Sequence, residues 1–145
     1  MAACSSRTIA VAFLALPMLG ADGPPPAVEL RIENLRNERG MLRICIISDP
    51  SHFPNCQDDD GALTRSVASS TRSVSFRLPP GTYAVSLIHD ENGNGKLDTL
   101  LGIPKEGFAF SRNPPIRFGA PRYDEASFRV GESGSVQTLR LRYLL

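Results

Sequence analysis

Histidine is scarce in this chain of 145 residues, which contains only His52 and His89. A zinc or copper site built on the cysteines would need more imidazole ligands than these, so we expect none. The residues after His89 lack the second histidine of a zinc protease motif. The G-E-S-G-S run at residues 131–135 is interpreted as a hairpin turn and not as a nucleophile elbow. We therefore predict no catalytic residues.

Long hydrophobic runs are also missing. The apolar stretch at residues 8–20 is too short to span a bilayer and contains Pro17. Arg7 precedes this stretch and the small residue Ala21 follows it, which is the layout of a secretory signal peptide. We predict a signal peptide over residues 1–21, cleaved after Ala21, and hence a periplasmic or secreted protein with no transmembrane segment in the mature chain. An uncleaved anchor or a buried N-terminal helix is the alternative.

Charge of one sign does not predominate. Cleavage after Ala21 removes Arg7 and no acidic residue, so the 16 basic residues fall to 15, the same number as the acidic residues. A chain with no net charge presents no overall electrostatic attraction to nucleic acid or to an anionic membrane. The arginines of the C-terminal third are interpreted as a solvated face. We therefore predict no nucleic-acid partner.

Only two cysteines remain after this cleavage, Cys45 and Cys56. In an oxidising compartment an isolated pair is most simply a disulfide that closes a small loop. A bridge over so short a loop would stabilise the fold by roughly 2–3 kcal/mol. A free buried thiol or a metal pair is the alternative.

No sustained helical stripe of apolar residues occurs in the sequence. Apolar and polar residues alternate instead, as they do in half-buried strands, over residues 28–33, 41–48, 74–78, 83–88, 126–130 and 136–144. The first two of these segments are predicted to form a hairpin, and a Gly/Ser turn is predicted to join the last two. Residues 62–73 fit either a short helix or an irregular strand.

This pattern predicts an all-β protein, an antiparallel sandwich of about seven strands. Residues 22–27 (D-G-P-P-P-A) are too rich in proline for regular hydrogen bonding and are predicted to be an extended lead-in. Residues 28–145 are then predicted to form a single domain, since a chain of this length can bury one proper core.

A loop crowded with side-chain oxygens follows the strand at residues 83–88. Its oxygen-bearing residues resemble a calcium loop of the D-x-[DN]-x-[DN]-G type, with glycine at position 6 and a backbone carbonyl at position 7. The predicted ligands are Asp90, Asn92, Asn94, Lys96 through its carbonyl, and Asp98. Oxygens at alternate positions around a glycine turn converge on one point, which suits a hard cation.

The loop departs from this calcium pattern at position 12, where Leu101 replaces the required bidentate Glu. Water or Glu106 would have to complete the shell, so calcium would bind weakly, with a dissociation constant of roughly 10⁻⁴–10⁻³ M. The alternative is an Asn-Gly turn whose side chains bond the nearby backbone. A structural calcium ion is the cofactor hypothesis that follows from the sequence.

Three blocks in the centre of the chain occur together and in order: G-T-Y-A-V, H-D-E-N-G-N-G-K-L-D and L-G-I-P-K-E-G-F-A-F-S. With them, most of the mature chain resembles the bacterial secreted family known as domain of unknown function 2141. The resemblance implies an exported sandwich of immunoglobulin-like or prealbumin-like fold and implies no established activity. The prealbumin-like fold also includes a hydrolase family that ends in Y-R-G-S. This chain ends in R-L-R-Y-L-L, so that activity is not implied here.

The glycine-bounded segment after the loop carries three apolar residues that could bind a partner: Ile103, Phe108 and Phe110. The alternative is that the two phenylalanines plug an open end of the sandwich. We predict an exported, non-catalytic module that acts by binding a protein or glycan of the cell envelope or as an envelope-associated structural component. A hydrolase that uses His89 and the 89–98 loop, with Asp90 and Asp98 as paired acids, is the alternative function.

Overall fold

The computed structural model describes residues 23–145, and the predicted signal peptide lies outside them. Ten strands and one short helix follow one another in this part of the chain: β1 (Ala27–Glu33), β2 (Met41–Ile47), β3 (Leu63–Ala68), β4 (Ser73–Arg77), β5 (Gly81–Asp90), β6 (Thr99–Leu100), β7 (Ile103–Pro104), β8 (Gly107–Phe110), α1 (Tyr123–Ala126), β9 (Phe128–Val130) and β10 (Ser135–Arg140). Among these residues, no helix is long and apolar enough to cross a bilayer.

The strands form two main sheets that pack face to face. One has three strands in the order β10-β1-β4, and the other has the order β3-β2-β5-β8, with β9 also paired to β5. The pairings are antiparallel except for β1 with β10, which is parallel. The predicted all-β sandwich is thereby confirmed. A separate two-stranded sheet, β6-β7, projects beside the larger sheet.

The core between the sheets follows from the alternation seen in the sequence. Every second residue of β1 and β2 is buried, and so are both apolar residues of β4. These side chains form one cluster with others from β5, β9 and β10: Val28, Leu30, Ile32, Leu42, Ile44, Ile46, Val74, Phe76, Val85, Leu87, Phe128, Val130 and Leu139. Each large aliphatic side chain buried here stabilises the fold by about 1.5–3 kcal/mol.

The predicted hairpin between the first two strands is wrong. β1 lies between β10 and β4 in the smaller sheet, whereas β2 lies between β3 and β5 in the larger one. Residues 34–40 therefore cross from one layer to the other. Gly40, with φ of 71°, lies against the backbone of Asp90, where an added Cβ would overlap the carbonyl oxygen. Alternation identified both strands, but it does not identify the partner of either.

A similar limit applies to the other ambiguous segments. Residues 62–73 contain the strand β3 and no helix. The Gly/Ser turn before β10 joins β9 in the larger sheet to β10 in the smaller one, so it does not form a regular hairpin. The short strands β6, β7 and β8, of two to four residues each, lie at residues 99–110, directly after the oxygen-rich loop, where no strand is predicted.

A second apolar layer covers the outer face of the larger sheet. Ala84 of β5 and both phenylalanines of β8 are buried there with Ala126 of the helix α1. Phe53 packs on this layer, with its ring centroid 5.7 Å from that of Phe110. The central strand β5 is therefore buried on both faces, which fixes it firmly between two apolar layers.

The predicted disulfide is confirmed. Cys45 on the outer face of β2 is bonded to Cys56, and their Cα atoms are 5.8 Å apart. The bridge holds residues 49–57 against the outer face of the sheet. Ser86 donates a hydrogen bond to the carbonyl of Pro54 at 2.7 Å, which adds a second attachment to the same loop.

Candidate functional site

Asp90, the last residue of β5, anchors the oxygen-rich loop. Its buried carboxylate accepts hydrogen bonds from the Arg43 guanidinium at 2.5 Å and from the backbone N–H groups of Gly95 at 2.8 Å and Asn94 at 3.1 Å. Burial raises the pKa of Asp90, but these donors outweigh that effect and hold the pKa below its ordinary value. The carboxylate is therefore ionised at neutral pH and already has partners.

The turn of the loop is closed by amide-to-carboxylate hydrogen bonds. Gly93 and Gly95 adopt φ values of 73° and 87°, a region that side-chain-bearing residues rarely occupy. This turn allows the amides of Asn92 and Asn94 to donate to the Asp98 carboxylate at 2.7 and 2.9 Å. The bond from Asn94 and then that from Asn92 lower the pKa of Asp98. The loop thus folds on its own side chains, as an Asn/Asp turn does.

Glu106, immediately before β8, fastens the two ends of this loop together. Its side chain is almost wholly buried, and its two oxygens accept the backbone N–H groups of Glu91 and Asp98, each at 3.0 Å. The sequence singled out Glu106 only as an additional metal ligand. In the structure both of its oxygens bind backbone, so its contribution here is to brace the loop.

All five predicted metal ligands take part in this one network: Asp90, Asn92, Asn94, Lys96 and Asp98. Within residues 23–145, no three His, Cys, Asp or Glu side chains are placed to hold a metal ion. Asp90 is the least available ligand because Arg43 neutralises it. A cation would have to bind at the exposed side of the loop, next to Asp98. It would displace the side-chain amides of Asn92 and Asn94, which donate hydrogen bonds to the Asp98 carboxylate.

His89 is fully buried, and both of its ring nitrogens have partners. Nε2 lies 2.8 Å from the carbonyl oxygen of Arg39, and Nδ1 lies 2.8 Å from the hydroxyl of Tyr143. A carbonyl only accepts hydrogen bonds, so Nε2 donates, and in the neutral ring Nδ1 accepts from Tyr143. Burial is the main cause that raises the pKa of Tyr143. The His89 ring therefore joins strand β5 to the C-terminal segment and does not face solvent.

An ion pair that the sequence does not predict lies beside this histidine. Arg36 donates two hydrogen bonds to the Glu91 carboxylate, at 3.0 and 2.7 Å, and its guanidinium lies 4.5 Å from the ring centroid of Tyr143. Asn37 donates a third bond to the same carboxylate. The pKa of Glu91 falls to about 2, chiefly because of the Arg36 bond, although burial opposes the shift. The crossover between β1 and β2 is thereby attached to the end of β5.

A cleft of about 940 Å³ lies on the outer face of the larger sheet. The side chains of Ile88, Phe108 and Phe110 contribute to its floor. Its walls are the disulfide-bonded loop, the loop at residues 95–97 with the β6-β7 sheet, and residues 116–120. This volume falls in the upper part of the range for small-molecule sites, about 300–1,000 Å³.

The three predicted partner-binding residues all line this cleft. Ile103 is 44% exposed at the rim, whereas Phe108 and Phe110 are 6% and 8% exposed. The two phenylalanines therefore belong mainly to the outer apolar layer. They cover a sheet face, not an open end of the sandwich. Further apolar side chains stand exposed around the cleft, including Phe118 and Leu144.

Comparison with known protein families gives a match that covers most of the chain. The family described as "Uncharacterized protein conserved in bacteria (DUF2141)" matches residues 30–138. The chain belongs to this family. The DUF2141 match runs from β1 into β10 and so includes the oxygen-rich loop and all residues that line the cleft except Leu144. Neither the curated proteins nor the solved structures that were searched gave a match.

The loop can be predicted from the sequence of this DUF2141 protein far better than the cleft can. The loop is a continuous run of oxygen-bearing residues and glycines, so its convergence can be predicted from spacing. The cleft is lined by eight separate stretches of the chain, and only the apolar residues near Ile103 indicated a binding surface. The Arg36–Glu91 pair joins residues 55 positions apart and leaves no local signal.

Proposed function

We propose that this DUF2141 protein is an exported, non-catalytic sandwich module that binds a component of the cell envelope in the outer-face cleft. The observation that carries the proposal is the cleft itself: an apolar floor on a rigid central strand, with Ile103, Phe118 and Leu144 exposed around it. Exposed apolar groups that surround a concave site are typical of a surface that a ligand covers. The predicted signal peptide supports export to the periplasm or beyond.

The support beneath the cleft favours a preformed site. β5 is buried on both faces, and the disulfide and the Ser86–Pro54 hydrogen bond hold one wall in place. The Asp90 and Glu106 hydrogen bonds brace the loop that forms another wall. A site on rigid elements loses less conformational entropy when a ligand binds.

The non-catalytic part of the proposal is supported by the surroundings of His89 and Asp90. Both side chains are fully buried, and each is held by specific hydrogen bonds. A general acid or base must reach the proton that it transfers. These two residues instead connect strands and loops.

A neutral, environment-sensitive dye, N-phenyl-1-naphthylamine, tests the cleft. We expect its fluorescence to rise on binding the mature protein, and Ile103→Asp to weaken binding by about tenfold because a charge then stands at the apolar rim. Val136→Asp is the matched control, since Val136 is 52% exposed on β10 of the opposite sheet. No binding by the wild type, or equal losses in both variants, would exclude the cleft as the site.

We further propose that the oxygen-rich loop binds calcium weakly and thereby stiffens one wall of the cleft. The convergence of the amides of Asn92 and Asn94 on Asp98 supports this proposal, because rotation of those amides would turn oxygens toward the same point. The Arg43–Asp90 ion pair keeps the affinity low. The dissociation constant is expected near the millimolar values of extracellular calcium modules.

A further inference from the structure

We infer that the ligand of the outer-face cleft is an anionic single-chain amphiphile, with a carboxylate or phosphate head and an alkyl tail. The inference rests on the proposed function and specifies its ligand. Basic and acidic residues balance over residues 22–145, yet the charged residues that line the cleft are all basic: Arg43, Arg65, Lys96 and Arg117. A site of one charge sign in a balanced chain selects a ligand of the opposite sign.

Two of these four cations are already engaged. Arg43 is paired with Asp90, and Arg65 lies over the Phe76 ring, 4.3 Å from its centroid. Lys96 and Arg117 are exposed and form no ion pair with the part of the chain that the structure describes. They stand on two different walls of the cleft and are the lining cations left for an anionic head.

The floor favours an alkyl chain over a sugar. The side chains of Ile88, Phe108 and Phe110 contain no polar atoms. The hydroxyl of Ser86 already donates its hydrogen bond to the carbonyl of Pro54, so it is not free to donate to a ligand. Sugar hydroxyl groups laid on this floor would lose hydrogen bonds to water without replacement, which costs free energy. An alkyl chain makes no hydrogen bonds to water, so it loses none when it is buried there.

An extended peptide is disfavoured by the pairing of the strands below the cleft. A peptide that adds to a sheet needs a free strand edge. β2 and β5 are interior strands, and β8 is paired on one side with β5 and on the other with Arg142, through hydrogen bonds of 3.1 and 2.9 Å at Phe108. The floor therefore offers its side chains and no backbone edge. β3, whose residues 64–66 line one side of the cleft, does have a free edge. A peptide paired with that edge would extend the sheet sideways and leave the apolar floor uncovered.

The test uses 11-(dansylamino)undecanoic acid, its uncharged methyl ester and a dansylated alkylamine of similar length. We expect the mature protein to bind the acid most tightly and the amine most weakly. The double variant K96E/R117E should bind the acid about tenfold more weakly and the ester as the wild type does. Arg129→Glu, an exposed residue on β9 that does not line the cleft, is the matched control and should change neither.

Equal binding of acid, ester and amine would overturn the inference, and so would equal losses in K96E/R117E and R129E. If N-phenyl-1-naphthylamine still binds, and Ile103→Asp still weakens its binding, the proposed function holds after either of these two results. If neither the dye nor any dansyl probe binds, both fall. Co-sedimentation with phosphatidylglycerol vesicles that the soluble acid cannot displace would identify a membrane surface as the partner and also overturn the inference. The variant K96Q/R117Q removes the two charges without reversing them. Its circular dichroism spectrum shows whether a loss of binding reflects a loss of folding.

Discussion

Glu91 shows how one residue can couple three parts of this fold. Its carboxylate follows β5 directly, accepts hydrogen bonds from Arg36 and Asn37 of the crossover, and lies next to the His89–Tyr143 pair. The Glu91 side chain is only 11% exposed, so water screens this pair less than an open surface pair. In the sequence, Glu91 resembles one more acidic residue of the loop. In the structure it stabilises the fold by joining the crossover to the end of β5.

The lowered pKa of Glu91 predicts a pH dependence of stability. Because the folded pKa is about 2 and the ordinary value is 4.5, the stabilisation is fully present above about pH 5 and is lost as the pH falls from 4.5 toward 2. Glu91→Gln should lower the free energy of unfolding by roughly 2 kcal/mol at pH 7, and the difference should vanish near pH 2. Urea unfolding across this range measures it, with Glu132→Gln in an exposed turn as the control. A gap that stays constant with pH would contradict the assignment.

The calcium proposal is also decided at single residues. With a dissociation constant near 1 mM, 10 mM calcium should raise the melting temperature of the wild type by roughly 5 °C. Asp98→Asn should abolish the rise, because the carboxylate on which both amides converge is lost. Asp60→Asn, at an exposed position outside the loop, should retain it. Calorimetry that detects no calcium heat, together with an unchanged melting temperature, would leave the loop as a hydrogen-bonded turn only.

At the level of elements, strands could be predicted from this sequence far better than their partners. The alternation in β1, β2, β4 and β10 is a local property, since it reflects which face of each strand is buried. Pairing depends on which sheet a connection enters. Residues 34–40 cross between layers because of contacts with Asp90 and Leu141, distant residues that no local pattern indicates.

The crossover makes a prediction about glycine. Gly40→Ala should destabilise the fold by more than about 2 kcal/mol, because it combines a positive φ with overlap between the new Cβ and the backbone of Asp90. Gly93→Ala is matched in φ, at 73°, but its Cβ would meet no atom within 4 Å, so it should cost only about 1 kcal/mol. Chemical unfolding of both variants gives the comparison. Equal losses would mean that the close approach to Asp90 contributes nothing.

At the scale of the whole molecule, the sandwich, the disulfide and the convergence of the loop's polar side chains could be predicted from the sequence. The cleft could not. The first three depend on residues that are near in sequence or few in number. The cleft depends on how the disulfide-bonded loop, the β6-β7 sheet and residues 116–120 meet above one sheet. That arrangement follows from tertiary packing of irregular segments, for which periodicity gives no signal.

The outer apolar layer should therefore behave as a second core. Replacing Phe108 and Phe110 together by Ala removes two buried rings, at about 3–5 kcal/mol each. That sum is comparable with the total stability of an ordinary domain, about 5–15 kcal/mol, so we expect loss of cooperative unfolding and of dye binding together. Phe118→Ala, which alters a fully exposed ring at the edge of the same cleft, should leave the urea midpoint unchanged and affect binding alone. A double variant that unfolds at the wild-type midpoint would show that the sandwich is stable without its outer layer, and that the two phenylalanines serve the ligand instead.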